Sequence, residues 1–470
     1  METVTGREIG ASDLQLFQRS FRGQVRLPGG DGYEQGRRVW NGLIDKRPAV
    51  IASCADQLDV IAAISFARDQ GLSVAIRGGG HSVAGLGTCD GGLVIDLSAM
   101  RKVTVDSVAR TCRADGGVLW GEVDRHTQFF GLAASAGVVS HTGIAGLTLG
   151  GGFGWLARKH GLACDNLISA DLVTADGECL VAGPGQNEDL LWALKGGGGN
   201  FGVVTTFEYA IHPVGPIVLA GSLAWPIERA KEIWQAYREW APSLPDEMSS
   251  GIGLRVQPTD HFIPAAAREV PTISVTVCYA GRVEEGEGLV SALREVAPVL
   301  VDDVRPMPYV AVNHMMDIPH GVRSYWKTGH VDELSDELLD LLLAQFERAP
   351  SPASDLFIEH LEGKFGRIPA DSTACGPRDA KYRLILDTLW DDPADDESNI
   401  AWAHECGDVW KPTFNGRTYV NYLTETEHAD VESAYEDSTR RQLAKVKAAY
   451  DPGNFFHVNH NIRPAPSPAG

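Results

Sequence analysis

The chain of 470 residues has no long apolar run, no excess of positive charge and no Cys-x-x-Cys pair. No segment reaches the roughly 18 uninterrupted apolar residues of a membrane-spanning helix, and residues 1–10 lack the apolar core of a signal peptide. The sequence therefore predicts a cytoplasmic protein without membrane contact. The 62 acidic residues outnumber the 41 basic ones and give a formal net charge of -21, which opposes binding to nucleic acid.

The eight cysteines are scattered along the chain and form no dense framework. This distribution favours buried free thiols over zinc ligands or structural disulfides. His141, His457 and His460 have no carboxylate or thiol at the spacing of metal ligands, so no metal site is predicted.

The chain has the composition of an ordinary globular protein, with 44% hydrophobic and 22% charged residues. Its length exceeds that of one ordinary hydrophobic core and predicts two domains. Glycine clusters stop near residues 212–216, and the pattern of the first half returns past about residue 415. We therefore predict a first domain made of residues 1–212 together with a returning C-terminal segment at 415–470, and an intervening domain at 213–414.

Helix and strand signals alternate in both halves, which predicts an α+β fold. Asp56 is placed to cap a helix that Gly71 ends. Residues 203–209 have the composition of a strand, and the alternation over 273–277 is typical of a strand that is buried on one face.

The motif Arg77-Gly78-Gly79-Gly80-His81-Ser82 follows a strand-like segment at residues 73–76. Glycine tolerates positive φ and lets the backbone approach a ligand without a Cβ in the way, so such a turn can direct free N–H groups at a diphosphate. His81 would then lie beside a bound cofactor. An ordinary strand-to-loop turn with an exposed histidine explains the same residues equally well.

Two further glycine clusters cover residues 140–154 and 195–202. The first is too rich in glycine for a helix or a regular strand, so its backbone passes close to a ligand or to another chain segment. The second contains a formal Gly-x-Gly-x-x-Gly at Gly197, Gly199 and Gly202. A Rossmann assignment is rejected, because that fingerprint follows a strand and opens a helix, whereas here a capped helix precedes it and a strand follows it.

Near the C-terminus, residues 419–423 have the pattern of an extended segment. Tyr419 and Asn421 would lie on one side of it, and Val420 and Tyr422 on the other. On pattern alone, tyrosines on a strand favour packing over catalysis.

Five motifs in this order resemble the bacterial branch of the berberine-bridge-enzyme-like FAD-linked oxidases, within the vanillyl-alcohol-oxidase/PCMH superfamily. The resemblance covers nearly the whole chain. Its carriers are the motif at residues 77–82, the segment from Ser140 through Asp165-Asn166, Leu191-Trp192-Ala193-Leu194 running into Gly199-Asn200-Phe201-Gly202, Tyr419-Val420-Asn421-Tyr422, and Asp451-Pro452-Gly453-Asn454-Phe455-Phe456 with Asn459 and Asn461.

The resemblance implies an α+β fold with a PCMH-type FAD-binding domain, and a substrate domain whose antiparallel sheet, flanked by helices, covers the isoalloxazine ring. It implies FAD attached through His81, the position of the histidine that family members link to the flavin 8-methyl carbon. Many members add a cysteine link, and Val139 stands at that position, so a single link is predicted. The positions that the resemblance assigns to cofactor binding are Arg77, Gly78, Gly79, Gly80, His81, Ser82, Val139, Ser140, Thr142, Gly143, Gly146, Gly150, Gly151, Gly154, Tyr419, Asn421, Asn459 and Asn461.

The implied reaction is oxidation of a substrate C–H bond, in which a hydride passes to flavin N5 while a base takes a proton. Molecular oxygen then reoxidises the flavin and gives hydrogen peroxide. Tyr422 matches the tyrosine that often serves as the base, and a nearby cation such as Arg383 would favour its ionised form. Residues 382–390 resemble the substrate-facing strand, with Arg383 and Asp387 on one face, although a solvent-facing side is an equal interpretation. Thr142 falls near the position that gates oxygen in relatives.

The expected partners are molecular oxygen and a small-molecule substrate, either an alcohol, a sugar, an amine or a secondary metabolite. The expected assembly is a monomer or a small homo-oligomer. Two alternatives stay open: a flavin-dependent dehydrogenase, oxidative cyclase or oxygenating enzyme of natural-product biosynthesis, and a flavin-binding protein without turnover. The sequence does not identify the substrate.

Overall fold

The computed structural model describes residues 9–260, 263–425 and 428–466. Helices and largely antiparallel sheets make up this part of the chain, which confirms the predicted α+β class. None of the described helices is both long and apolar enough to cross a membrane.

The first part of the chain builds two sheets with helices against them. The elements in chain order are α1 (Ala11–Ser20), β1 (Gln24–Arg26), α2 (Tyr33–Gly36), β2 (Val50–Ser53), α3 (Gln57–Gln70), β3 (Val74–Arg77), β4 (Leu93–Asp96), β5 (Val103–Asp106), β6 (Thr111–Asp115), α4 (Trp120–Gln128), β7 (Leu132–Ala133), α5 (Ile144–Leu149), α6 (Ala157–His160), β8 (Leu167–Val173), β9 (Cys179–Ala182), α7 (Glu188–Leu194), β10 (Val203–Ala210) and β11 (His212–Pro213). One sheet has the order β1-β2-β4-β3 and pairs β4 in parallel with β2 and β3; the other is antiparallel with the order β5-β6-β10-β8-β9. Strands β7 and β11 form a separate pair.

The middle part is built on an eight-stranded antiparallel sheet. Its elements are β12 (Ile217–Pro226), α8 (Ala230–Trp240), β13 (Met248–Val256), β14 (Pro271–Tyr279), α9 (Val283–Arg294), β15 (Val301–Asp302), β16 (Arg305–Pro308), α10 (Tyr309–Val312), β17 (Arg323–Val331), α11 (Asp336–Phe346), β18 (Asp355–His360), α12 (Lys364–Arg367), β19 (Tyr382–Trp390) and α13 (Asp396–Trp410). The strand order is β15-β12-β14-β13-β18-β19-β17, with β16 paired beside β12. Helices α14 (His428–Ser433) and α15 (Asp437–Tyr450) follow in the C-terminal segment.

Local sequence signals account for the ends of several elements. The Asp56 side chain accepts hydrogen bonds from two N–H groups in the first turn of α3, and Gly71 ends this helix in the left-handed region, so both predictions are confirmed. Helix α7 precedes the glycine cluster at 195–202 and strand β10 follows it, which confirms the rejection of a Rossmann motif. The predicted cap of α7 is wrong, because Asn187 donates its side-chain amide to the Val181 carbonyl and caps nothing.

Strand β14 is buried on both faces, whereas the sequence predicted burial on one face only. All its residues after Pro271 are buried. Ile273, Val275 and Val277 pack in the core of the middle part, whereas Cys278 on the opposite face packs near Trp155 of the first part. Both faces of the sheet are therefore covered, one by helices and one by the rest of the chain.

The buried hydrophobic clusters follow the predicted division of the chain. One cluster lies entirely within residues 219–410. Another joins strands of the first part to C-terminal residues such as Leu443, Val446 and Ile462. This distribution is consistent with the domain boundaries at 212 and 415, which stay a prediction. Seven of the eight cysteines are buried free thiols, as predicted, and Cys179 is exposed.

Candidate functional site

A cavity of about 270 Å³ lies where the three glycine clusters and the C-terminal segment meet. Of the predicted cofactor positions, those that line it are Arg77, Gly78, Gly79, Gly80, His81, Ser82, Val139, Thr142, Gly143, Gly146, Gly150, Tyr419, Asn421 and Asn459. Ser140, Gly151, Gly154 and Asn461 do not line it. Gly199 of the third cluster and His460 line the cavity although neither was among the predicted positions.

The glycines of the first turn serve backbone packing as well as the cavity. A Cβ at Gly79 would lie 2.4 Å from the backbone nitrogen of Gly143, so these two segments cross at a distance that only glycine allows. Gly80 has a φ of 68° and accepts a hydrogen bond from the Trp40 N–H. By contrast, Gly146 and Gly199 have no neighbouring atom where a Cβ would stand. Chain crossing is therefore confirmed at Gly79, whereas the open space at Gly146 and Gly199 is consistent with ligand approach, which stays a prediction.

Two of the four predicted positions outside the cavity, Ser140 and Gly154, contact other parts of the chain. Ser140 donates its hydroxyl to Asp317 at 2.6 Å. A Cβ at Gly154 would meet the carbonyl oxygens of Ala136 and Gly137 at 2.5 Å, so this glycine permits a chain crossing.

Arg77 holds the base of the first glycine turn. Its guanidinium forms a buried ion pair with Asp96 at 2.9 Å and donates to the Gly36 carbonyl at 2.5 Å. Burial acts to raise the pKa of Asp96, but Arg77 together with hydrogen bonds from the Ser53 hydroxyl and the Ser98 N–H holds that pKa below its ordinary value. The Arg77 guanidinium thus anchors the strand that precedes the turn.

We expect Asp96→Asn to lower the free energy of unfolding by about 3–5 kcal/mol, because it leaves the Arg77 guanidinium buried without a counter-charge. Chemical denaturation of the holoenzyme measures the change. Glu405→Gln is the matched control, since its ion pair with Arg348 is largely exposed and contributes at most about 1 kcal/mol. Equal small effects of both substitutions would contradict the anchoring role of Arg77.

His81 is a half-buried, neutral imidazole at the end of the turn. Its ring stacks on Trp40 with a centroid distance of 4.4 Å and lies 5.0 Å from the ring of His141. Burial, with a smaller contribution from His141, lowers the pKa of His81 to about 3. Its Nε2 atom is buried without a hydrogen-bond partner. The imidazole is therefore uncharged at neutral pH and has a nitrogen lone pair available for bonding.

The prediction of an extended segment at residues 419–423 is wrong, because residues Val420–Tyr422 form a single 3-10 turn. With about three residues per turn, Tyr419 and Tyr422 come to the same side. Their rings pack edge to face at 5.0 Å. The Tyr419 hydroxyl accepts hydrogen bonds from the Gly152 N–H at 2.6 Å and from Asn421 at 2.9 Å.

Tyr422 contacts a buried cluster of charged side chains. The sequence predicted Tyr422 and Arg383 as site residues but did not indicate Glu359. The Tyr422 hydroxyl donates to Glu359 at 3.0 Å, and Arg383 donates its Nε to the same carboxylate at 2.7 Å. The Arg383 guanidinium also lies over the rings of Tyr422, Tyr419 and Phe153, at 4.8, 4.3 and 4.7 Å from their centroids. Arg383 is buried, so the solvent-facing interpretation of its strand is wrong.

The electrostatics of this cluster keep Tyr422 protonated. Burial raises the pKa of Tyr422 well above its ordinary value and Glu359 raises it further, while Arg383 acts in the opposite direction. Burial acts to lower the pKa of Arg383, but Glu359 together with Tyr422 and Tyr419 holds that pKa above its ordinary value. The negative charge of Glu359 thus balances the positive charge of Arg383 in a buried ion pair. Arg383 thus acts on Tyr422 in the expected direction, but burial and Glu359 outweigh it.

Glu359 carries no sequence motif that would have singled it out. It lies on β18 directly opposite Arg383 on β19, and only the register of these two strands brings the carboxylate and guanidinium together. A lone glutamate in an alternating strand is usually a solvated residue, so sequence patterns gave no signal.

Asp387 lies on the same face of β19 as Arg383, four residues further along the strand, and has different hydrogen-bond partners. It accepts hydrogen bonds from Ser324 at 3.0 Å and from the Trp326 indole. Burial raises the pKa of Asp387 to about 7. The Trp326 ring in turn meets the Tyr422 ring edge to face at 5.1 Å and lines the cavity. Asp387 therefore positions a wall of the cavity and makes no direct contact with Tyr422.

The residues present fit an FAD cofactor. His81 Nε2, Asn459 Oδ1 and His460 Nδ1 are buried polar atoms without a partner, and all three residues line the cavity. The open positions at Gly146 and Gly199 leave room for a ligand against the backbone. Orphaned polar atoms around a glycine-lined cavity are the features expected of a site that a nucleotide fills.

The fold and this cavity define a PCMH-type flavoprotein with FAD as its cofactor. Residues 48–183 match the family model described as FAD binding domain, and residues 418–463 match the model described as berberine and berberine like. The chain belongs to the berberine-bridge-enzyme-like family of FAD-linked oxidoreductases. This confirms the resemblance, the fold class and the enzyme class predicted from the sequence.

The relatives cover almost the whole chain. An FAD-linked oxidoreductase of Dictyostelium discoideum is 30% identical over 98% of this chain and 99% of that protein. The (R)-6-hydroxynicotine oxidase of Paenarthrobacter nicotinovorans is 30% identical over 95% of this chain and 97% of that protein.

Two solved structures share the fold of this chain over almost its whole length. The 6-hydroxy-D-nicotine oxidase of Arthrobacter nicotinovorans superposes with a TM-score of 0.85 at 28% identity, over 95% of this chain and 98% of that one. The BBE-like 1 protein of Physcomitrella patens has a TM-score of 0.86 at 21% identity, over 96% of this chain and 99% of that one, and shows the shared fold alone.

Proposed function

We propose that this protein is an FAD-dependent oxidase of a small molecule, either an alcohol, a sugar, an amine or a secondary metabolite. The observation that carries the proposal is the hydrogen-bonded chain from Tyr422 to Glu359 at the wall of the glycine-lined cavity. When bound, FAD would accept a hydride from the substrate and return the electrons to molecular oxygen, giving hydrogen peroxide.

The chain's own contribution to this reaction is removal of a proton from a substrate hydroxyl or amine. Tyr422 is protonated and donates to Glu359, so it cannot accept a proton without passing its own proton on. We propose that Tyr422 takes the substrate proton while its hydroxyl proton moves to the Glu359 carboxylate. Arg383 holds that carboxylate in place with two hydrogen bonds. The net acceptor is Glu359, and Tyr422 is neutral before and after the transfer.

His81 is proposed as the single covalent attachment point of FAD. A neutral imidazole with a buried, unpartnered nitrogen supports this role, because only an uncharged ring has a lone pair to form the bond. Val139 lines the same cavity but has no nucleophilic atom, so no second link forms from that side. Thr142 lines the cavity as well, and its proposed part is to control the access of oxygen.

We expect His81→Ala to release FAD into the supernatant on acid precipitation, whereas the wild-type protein retains it in the pellet. Val139→Ala is the matched control and should leave attachment intact, because alanine also lacks a nucleophile. Absorbance of the supernatant and the mass of the intact protein give the readout, and neither depends on activity. Retention of the cofactor by the His81 variant would contradict the proposed link.

The experiment that tests the function is anaerobic titration of the yellow enzyme against alcohols, sugars, amines and phenolic compounds. A substrate bleaches the flavin absorbance, and admission of air restores it with formation of hydrogen peroxide. An oxidase recovers its colour rapidly in air. Slow recovery in air, with rapid recovery on adding an artificial electron acceptor, would favour the dehydrogenase alternative. Failure of every compound class to bleach a fully loaded enzyme would favour the non-catalytic alternative.

A further inference from the structure

Two buried thiols from distant parts of the chain meet behind the cavity. Cys164 begins a short 3-10 turn after α6, and Cys375 lies in the loop between α12 and β19. Both flank Gly151: the Cys164 N–H donates to the Gly151 carbonyl at 2.8 Å, and a Cβ at Gly151 would lie 3.0 Å from the Cys375 sulfur. Both residues belong to one buried cluster, in which each side chain affects the pKa of the other.

The segments that carry these thiols are joined by a second interaction. Arg378 forms a bidentate ion pair with Asp165, with donor–acceptor distances of 2.9 and 2.7 Å, and both side chains are buried. Since Asp165 follows Cys164 and Arg378 lies three residues after Cys375, this ion pair joins the two segments next to the thiols. The segments that carry the thiols are therefore fixed against each other.

The two thiols are chemically unequal. Cys164 lowers the pKa of Cys375, and Arg378 acts in the same direction against the effect of burial. Burial raises the pKa of Cys164 well above its ordinary value. Cys375 is thus the better nucleophile, and Cys164 attacks the oxidised sulfur only after the hydroxide released in the first step has taken its proton.

Only a thin wall separates Cys375 from the cavity of the cofactor. A small void of about 10 Å³, enough for a molecule the size of water, is lined by Cys375, Arg383 and Tyr419. Gly150 and Tyr419 line both this void and the main cavity. The Tyr419 side chain therefore separates Cys375 from an oxidant that forms in the main cavity.

We propose that Cys164 and Cys375 are a peroxide-oxidised dithiol that closes to a reversible disulfide. The Cys375 thiolate attacks hydrogen peroxide, gains one oxygen as a sulfenic acid and releases hydroxide. The Cys164 thiol then attacks that sulfur, forming the S–S bond and releasing water, so that two thiols and one peroxide give one disulfide and two waters. The supply of peroxide by the enzyme itself rests on the proposed function, whereas the reactivity of the pair does not.

The test treats the holoenzyme with reagent hydrogen peroxide, blocks remaining thiols with an alkylating agent and analyses the peptides by mass spectrometry. The expected product is a peptide pair linked through Cys164 and Cys375 that has lost two hydrogen atoms and separates on reduction. In Cys164→Ser the resolving thiol is missing, so Cys375 should accumulate as a sulfenic acid that dimedone traps. Cys278→Ser is the matched control, since Cys278 is buried without a second thiol in contact, and the link should form unchanged.

The proposal is overturned if both thiols of the wild-type protein remain free for alkylation after denaturation, under conditions that oxidise the exposed Cys179. It is also overturned if Cys164 and Cys375 pair with other cysteines. A second arm replaces the reagent by substrate turnover in air. A link that forms with reagent peroxide but not during turnover supports the dithiol and counts against the proposed function, so the two failures are distinguishable.

Discussion

Tyr422→Phe should slow substrate-driven flavin reduction by about 10² or more, as expected for loss of a general acid–base group. The substitution removes the only hydroxyl that we place between the substrate proton and the Glu359 carboxylate. The phenyl ring keeps its edge-to-face contacts with Tyr419 and Trp326, so the shape of the cavity is preserved. The reaction therefore loses its proton path while the substrate still binds.

Anaerobic stopped-flow mixing measures this loss as the rate of flavin bleaching at saturating substrate. The apparent affinity for substrate should change much less than the rate, which separates a proton-transfer role from a binding role. Tyr33→Phe is the matched control, because it removes another buried tyrosine hydroxyl, which donates to the Pro48 carbonyl; neither residue lines the cavity. A nearly unchanged rate in the Tyr422 variant would remove this residue from the proton path.

Glu359→Gln should reduce the rate of flavin reduction at neutral pH by a similar factor of about 10², because the amide cannot take the proton that Tyr422 releases. The same substitution removes the negative charge that raises the pKa of Tyr422 and leaves the buried Arg383 guanidinium beside it. Both changes favour the phenolate. The pKa of Tyr422 therefore falls in the variant, and the lost rate should recover as the pH rises through that lowered value.

This alkaline recovery is the distinctive readout, since damage to the fold would not be repaired by raising the pH. It is followed by the reduction rate across a pH series, together with the ultraviolet absorbance of ionised tyrosine. Glu362→Gln is the matched control, because Glu362 lies just after β18 but contacts His360 and makes no bond to Tyr422. A Glu359 variant with the wild-type rate at neutral pH would show that the proton goes elsewhere.

Short-range signals predicted much of the local structure. The capping carboxylate of Asp56 and the left-handed glycine at 71 act within one helix, so the sequence around them was sufficient to place its ends. The order of helix α7, glycine cluster and strand β10 was likewise sufficient to reject a Rossmann motif. Fourteen of the predicted cofactor positions line one cavity, because the glycine motifs that carry the family resemblance also build its walls.

The errors came from interactions between distant segments. Strand β14 alternates like a half-covered strand, yet both its faces are buried, because the chain that covers the second face lies elsewhere in the sequence. The segment at 419–423 has the alternation of a strand but forms a 3-10 turn, since Gly152 and Asn421 hold the Tyr419 hydroxyl in place. Tertiary hydrogen bonds thus override a weak local preference.

The sequence by itself determined the class of protein, the α+β fold, the glycine-lined cavity and the position of His81. Only the tertiary structure decided how the proton of a substrate can leave, because Tyr422, Glu359 and Arg383 come from three separate segments. It also decided that Cys164 and Cys375 lie in one buried cluster, although more than two hundred residues separate them. Local patterns record which face of an element is buried, whereas strand register and chain crossing determine which side chains touch.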